Sequence, residues 1–197
     1  PDGERGVMQC VRSNLVKLKD EKVRKAGIAF IKQEHYHARE HDIMNEAVAK
    51  HGIPVAEVEQ AFKNMRVFLQ KILSDDMQLS VMAAGEHFTG TISAVFVEHP
   101  EIFRDFDPKL GAMIAWHMIE ETEHKSVSFD VYQDAVGSYS KRIAGMILMT
   151  GIFFTISEYQ RLKLVARDGH LFNWRSALKA MDFQFFRPGF MRLLVKH

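Results

Sequence analysis

The chain has 197 residues, 47% of them hydrophobic and 26% charged, with a formal net charge of +1. That is enough length for one domain with a sizeable core and enough apolar content to exclude disorder. The near-zero charge, with no basic patch interleaved with aromatics, excludes nucleic acid as an expected partner. The lone Cys10 excludes an internal disulfide and suits a reducing, cytoplasmic compartment.

The first residues, from Pro1, read as the interior of a helix, so the true N-terminus is expected upstream and a targeting segment there stays open. Val7, Val11, Leu15 and Leu18 predict a helix over 2–18, with Glu4 on the flank of their stripe. Asp20 is a fair N-cap for a second helix reaching about residue 50, where Gly52 and Pro54 end it. Val55, Val58, Phe62, Met65, Leu69 and Ile72 mark another over 53–73. Ser74 or Asp75 caps the next, which runs to 98 and is broken by His99-Pro100. Asp107-Pro108 combines a cap with proline at the first helical position and opens a helix to about residue 137. No alternating apolar-polar run predicts a strand, so the expected class is all-α.

Beyond Gly137 the character changes. Residues 143–157 carry no charge, yet fall short of the roughly 20 residues a spanning helix needs. A buried or interfacial helix is expected. The tail from Met181 to Phe190 is aromatic with basic flanks, which leaves open a peripheral membrane contact, a cover over the rest of the chain, or a homodimer contact. The expected organisation is a metal-binding bundle over 1–137 and an apolar helical extension over 138–197, packed on the bundle or at an interface.

The chemistry sits in two stripes. Residues three, four and seven apart share one face of a helix. His117, Glu121 and His124 therefore form one stripe, and Glu34, His37 and His41 another. A single Glu-x-x-His pair arises readily by chance in a chain rich in both residues. The levels of the glutamates say more. If the first two helices turn near 18–20, Glu4 and Glu34 each lie about 14 residues from the turn, so both sit about 21 Å from it. Glu86 and Glu121 are similarly level about the break at 98–108.

One glutamate from each of two helices, with Glu-x-x-His from each of two others, is how a bundle with one long crossover holds two metal ions. The expected ligands are Glu4, Glu34, His37, Glu86, Glu121 and His124, with His117 as a further one at i−4 from Glu121. The two ions are expected to be iron, with manganese or zinc also suited to carboxylate and imidazole donors. Without cations, these carboxylates would be costly to bury and would belong on a solvated surface. Glu120 and Glu123 compete for the inward position, but spacing to both histidines favours Glu121. Gly85 and Gly90 hint at close packing or a cavity beside Glu86. His35, His41 and His87 are expected around the site or at the surface, and Tyr36, Asp130 and Tyr132 as hydrogen-bond partners of ligands. No catalytic residue can be named.

Pro1 to Arg5, Phe30 to His41 and Trp116 to Lys125, with Phe129-Asp130, resemble the bacterial family described as predicted metal-dependent hydrolases. The ligand layout also resembles ferritin-like di-iron carboxylate proteins, and the added His117 is similar to the site of the di-iron p-aminobenzoate N-oxygenases. These resemblances imply a ferritin-like four-helix bundle with additional C-terminal helices. They also imply four glutamate and three histidine ligands, and oxygen chemistry.

The first expectation of function is therefore a di-iron oxidoreductase that uses O2 on an apolar, small or lipid-like substrate. The alternative is a two-metal hydrolase in which a metal-bound water attacks the substrate. Against it stand the small mouth expected of a buried site and the lack of an Asp-rich signature. A non-enzymatic metal-binding bundle is the third.

Overall fold

The computed structural model describes residues 1–104, 106–186 and 190–194. Among these, the regular elements are helices, as the sequence led one to expect: α1 (Asp2–Asn14), α2 (Glu21–Lys50), α3 (Val55–Ile72), α4 (Asp75–Glu98), α5 (Pro108–Ala135), α6 (Tyr139–Arg167), α7 (Trp174–Met181) and α8 (Phe190–Leu194). Arg187, Pro188 and Gly189 of the aromatic tail lie outside the described residues.

Local chemistry sets the ends. The Asp20 carboxylate accepts the Lys22 N–H at 2.7 Å and starts α2. Asp107 accepts the N–H groups of Lys109 and Leu110 at 3.0 and 3.2 Å and starts α5. Helix α2 stops at Gly52, whose φ of 76° is open to glycine at little cost. Helix α1 stops earlier than its hydrophobic stripe suggests. The buried Asn14 turns its amide back onto the Cys10 carbonyl at 2.9 Å, and the chain tightens into a 3-10 turn over Leu15–Lys17. The Arg24 guanidinium caps that turn by donating to the carbonyls of Leu15 and Leu18.

The chain forms two compact units, each discontinuous in sequence: residues 1–87 with 123–149, and residues 88–122 with 150–197. In the first unit, α1 and α2 run antiparallel, since Glu4 meets His41, Arg5 meets Asp42, and Val11 and Leu15 lie against Gly27. Helix α3 follows α1 in the same direction: Arg66 grips the Asp2 carboxylate with two bonds of 2.9 Å, and Gln70 reaches Gln9. The core is drawn from α1, α2, α4 and α5: Val11, Phe30, Leu79, Met82, Val131 and Tyr132, with Leu18 from the linker. Burying this set supplies the main driving force, at about 25 cal/mol per Å² of apolar surface. Asp134 of α5 holds the linker in place by accepting the backbone N–H groups of Lys19 and Asp20 at 2.6 and 3.0 Å. Helix α6 closes on α4 at Gly145, where a Cβ would stand 2.1 Å from the Ser80 hydroxyl oxygen.

The second unit packs aromatics: Phe88 stacks on Phe153 at 5.4 Å, and Phe103 lies 5.6 Å from both Phe96 and Phe106. Helix α6 is 29 residues long, and its most apolar 18-residue stretch has a mean hydropathy of 1.2 with only 6% of that stretch buried. By length and composition alone it could cross a membrane.

Candidate metal centre

The two histidine stripes face inward. Glu34 and His37 of α2 and His124 of α5 are at most 1% exposed, while Glu86 of α4 and Glu121 of α5 are 6% and 5% exposed. Glu121 precedes His124 by one turn of the same helix. Of its neighbours, Glu120 is half-buried and Glu123 is exposed. Helical spacing brings Glu34 beside His37 and Glu121 beside His124, as i, i+3 pairs. Packing of the core then brings α2 and α5 together at this depth.

Glu34, His37, Glu121 and His124 offer ligand atoms that all lie within 4.8 Å of one another. His124 Nδ1 is 2.8 Å from Glu34 Oε1 and 3.7 Å from Glu86 Oε2. His37 Nδ1 is 4.0 Å from Glu34 Oε1. The rings of His37 and His124 stand 5.1 Å apart, and Phe30 sets its edge against His124 at 4.7 Å and 86°. That aromatic wall fixes the plane of the imidazole. The sequence held the signal for it, since Phe30 lies one turn before Glu34 on the same stripe.

The donor set fits a metal ion. Two imidazoles and two carboxylates suit a borderline or hard divalent cation. Charge balance agrees. Glu34, Glu86 and Glu121 are carboxylates withdrawn from water, each costing several kcal/mol if left ionised without compensation. A cation among them offsets that cost.

The remaining expected ligands divide. His117 Nε2 lies 3.6 Å from Glu121 Oε1, beside the cluster on its own helix. Glu86 borders the cluster through His124. Glu4 lies against His41 Nε2 at 3.3 Å. It therefore meets α2 two turns beyond Glu34 rather than level with it. The extended linker over 18–20 contributes to this: at about 3.3 Å per residue against about 1.5 Å in a helix, it adds roughly 5 Å to the α1 side. Gly85 serves close packing rather than a cavity, with the Met149 methyl 3.1 Å from where its Cβ would be.

The expected hydrogen-bond partners of the ligands are corrected. The Tyr132 hydroxyl donates to the Ser138 carbonyl at 2.6 Å rather than to a ligand. Tyr36 is 52% exposed, and Asp130 is exposed too. His87 lies at the surface, one of the two places expected for it, and desolvation with the neighbouring Lys125 charge pulls its pKa below the usual histidine value.

A family model described as "Predicted metal-dependent hydrolase" matches residues 1–197. No curated protein and no solved structure matches the chain significantly. The family match overturns the expectation of a di-iron oxygenase and favours the hydrolytic alternative. The error has a physical source. Glutamate and histidine donors serve redox and Lewis-acid chemistry equally well, so the ligand types could not decide the reaction.

Proposed function

The chain belongs to the family of predicted metal-dependent hydrolases, and from that premise we propose that Glu34, His37, Glu121 and His124 hold the metal of a hydrolytic site. The observation that carries this reading is the cluster of four buried donors within 4.8 Å. When bound, a divalent ion there polarises the scissile carbonyl and lowers the pKa of water. Hydrolysis changes no oxidation state, so Zn2+ or Mn2+ meets the requirement.

The chain's own residues supply the rest. Glu86 stands outside the four, with Oε2 3.7 Å from the His124 ring, and is assigned as the proton acceptor. It takes a proton from water as the water oxygen bonds to the carbonyl carbon. It returns that proton to the leaving group as the bond to that group breaks. His117 steadies Glu121 from one turn away. Phe30 keeps bulk water from the His124 face, which strengthens every charge interaction inside. Three buried carboxylates outweigh the charge of one divalent ion, so the site repels a phosphate. A neutral ester or amide of a small, apolar molecule is the substrate class this favours.

The test is metal content and hydrolysis together. Protein purified without added metal should contain a divalent ion that Glu121→Ala loses. Glu86→Gln should keep the ion but lose about 10²- to 10⁴-fold in turnover of activated esters. Metal-loaded protein that cleaves no ester or amide, or a Glu86→Gln variant of full activity, would overturn the assignment.

A further inference from the structure

The C-terminal third carries a feature that the metal site does not use. Residues 138–197 hold ten Lys and Arg against three Asp and Glu, a net charge of +7, while residues 1–137 carry −6. This basic third is also where apolar side chains face outward. Every residue from Ala166 to Phe183 is exposed, including Phe172 at 93% and Trp174 at 65%.

Helix α7 concentrates both properties. Asn173 caps it by accepting the Ser176 N–H at 3.2 Å. Trp174, Ala177, Leu178 and Met181 follow the i, i+3, i+4, i+7 spacing of one apolar face. Arg175 and Lys179 flank that face, and the helix contains no acidic residue. The Arg175 guanidinium lies over the Trp174 ring at 5.4 Å, so charge and aromatic meet at one level. Before the helix come Arg161, which pairs with Glu158 at 2.7 Å, and then Lys163 and Arg167, with Asp168 between them and the cap. An exposed apolar face of this kind marks a contact surface.

We propose that this segment docks on the surface of an anionic lipid bilayer, with Phe172, Trp174, Leu178 and Met181 entering the acyl boundary and Arg175 and Lys179 reaching the headgroups. Charge complementarity selects the occupant. Interface cores between proteins are depleted in lysine, whereas long basic side chains at a bilayer extend to the phosphates while their stems stay in apolar surroundings. Aromatics with basic neighbours on a short amphipathic helix suit an in-plane position.

Spanning by α6 is disfavoured on two grounds. Its uncharged stretch of residues 143–157 is about 22 Å long at 1.5 Å per residue, short of a hydrocarbon core of about 30 Å. Its first third is also fastened to α4, where Gly145 lets the Ser80 backbone approach and the Ser80 hydroxyl donates to the Lys141 carbonyl at 2.8 Å.

The experiment is co-sedimentation of the full, metal-loaded chain with vesicles of phosphatidylcholine alone or mixed equally with phosphatidylglycerol. Binding to the anionic vesicles only, weakened by added salt, is expected. In a Trp116→Phe background, Trp174 emission should shift to the blue on binding. R175Q/K179Q, at two exposed positions, should keep its helical circular dichroism and lose roughly thirtyfold in partitioning. Failure to bind, or equal binding to neutral vesicles, overturns the proposal. So does a stable lipid-free homodimer in which Trp174 is shielded from a soluble quencher. Since binding is read without substrate, the outcome is independent of the hydrolytic assignment.

Discussion

His124 Nδ1 of α5 lies 2.8 Å from Glu34 Oε1 of α2, and neither side chain is more than 2% exposed. An imidazole and a carboxylate at that distance need a proton or a cation between them. The pair ties two helices together at the point where the chain concentrates its buried charge, so site occupancy and fold stability are linked there.

Removing the metal should therefore destabilise the protein. With free ion at a hundred times its Kd, binding adds about 2.7 kcal/mol. Chelation should lower the melting temperature measured by calorimetry or circular dichroism, and re-addition should restore it. His124→Ala removes one partner of a buried pair and should cost about 3–5 kcal/mol even in chelator. A melting temperature indifferent to chelator would argue against an ion at this site.

Gly145→Ala tests the α4–α6 contact. The new Cβ would stand 2.1 Å from Ser80 Oγ, 2.8 Å from Ser80 Cβ and 2.9 Å from the Ser80 carbonyl carbon, so backbone as well as side chain must move. A loss of about 1–3 kcal/mol is expected from overpacking of this kind. In denaturant titrations the midpoint should fall with little change in slope.

Asp2 and Arg66 give a pH signature. The hydrogen bonds from Arg66 hold the Asp2 carboxyl below its ordinary pKa, against an opposing push from burial. A folded pKa below the unfolded one means the stabilisation is present above the unfolded value and is lost as pH falls through the folded value. Asp2→Asn should cost about 1.5–3 kcal/mol near neutral pH. Its deficit against wild type should shrink in acid, below the ordinary aspartate pKa. Unfolding curves at a series of pH values check both the size and the direction.

Cys10 should be chemically quiet. Burial beside the core pushes its thiol up to about 12, with the Asp75 charge adding to the effect. The thiolate that alkylating reagents need is scarce at neutral pH. Labelling of the native protein should be far slower than in denaturant, and a Cys10→Ala variant should retain its metal.

By itself the sequence determined what depends on neighbours along the chain. Asp20, Asp107-Pro108 and Gly52 act within one turn, so the ends of α2 and the start of α5 could be read directly. The pairing of Glu34 with His37 and of Glu121 with His124 follows from the same three-residue spacing. Tertiary structure decided which levels on different helices meet. Glu4 lies against His41 because Asn14 ends α1 early and the linker over 18–20 is extended, and helix lengths counted from an assumed turn cannot register either event. It also decided that Ile147, Phe154 and Leu162 of α6 and Trp174 and Leu178 of α7 face outward, since hydropathy measures a residue's cost in water but not whether a partner surface is near. The reaction lay beyond both, because carboxylate and imidazole donors serve oxidation and hydrolysis alike; the family description is what favours hydrolysis.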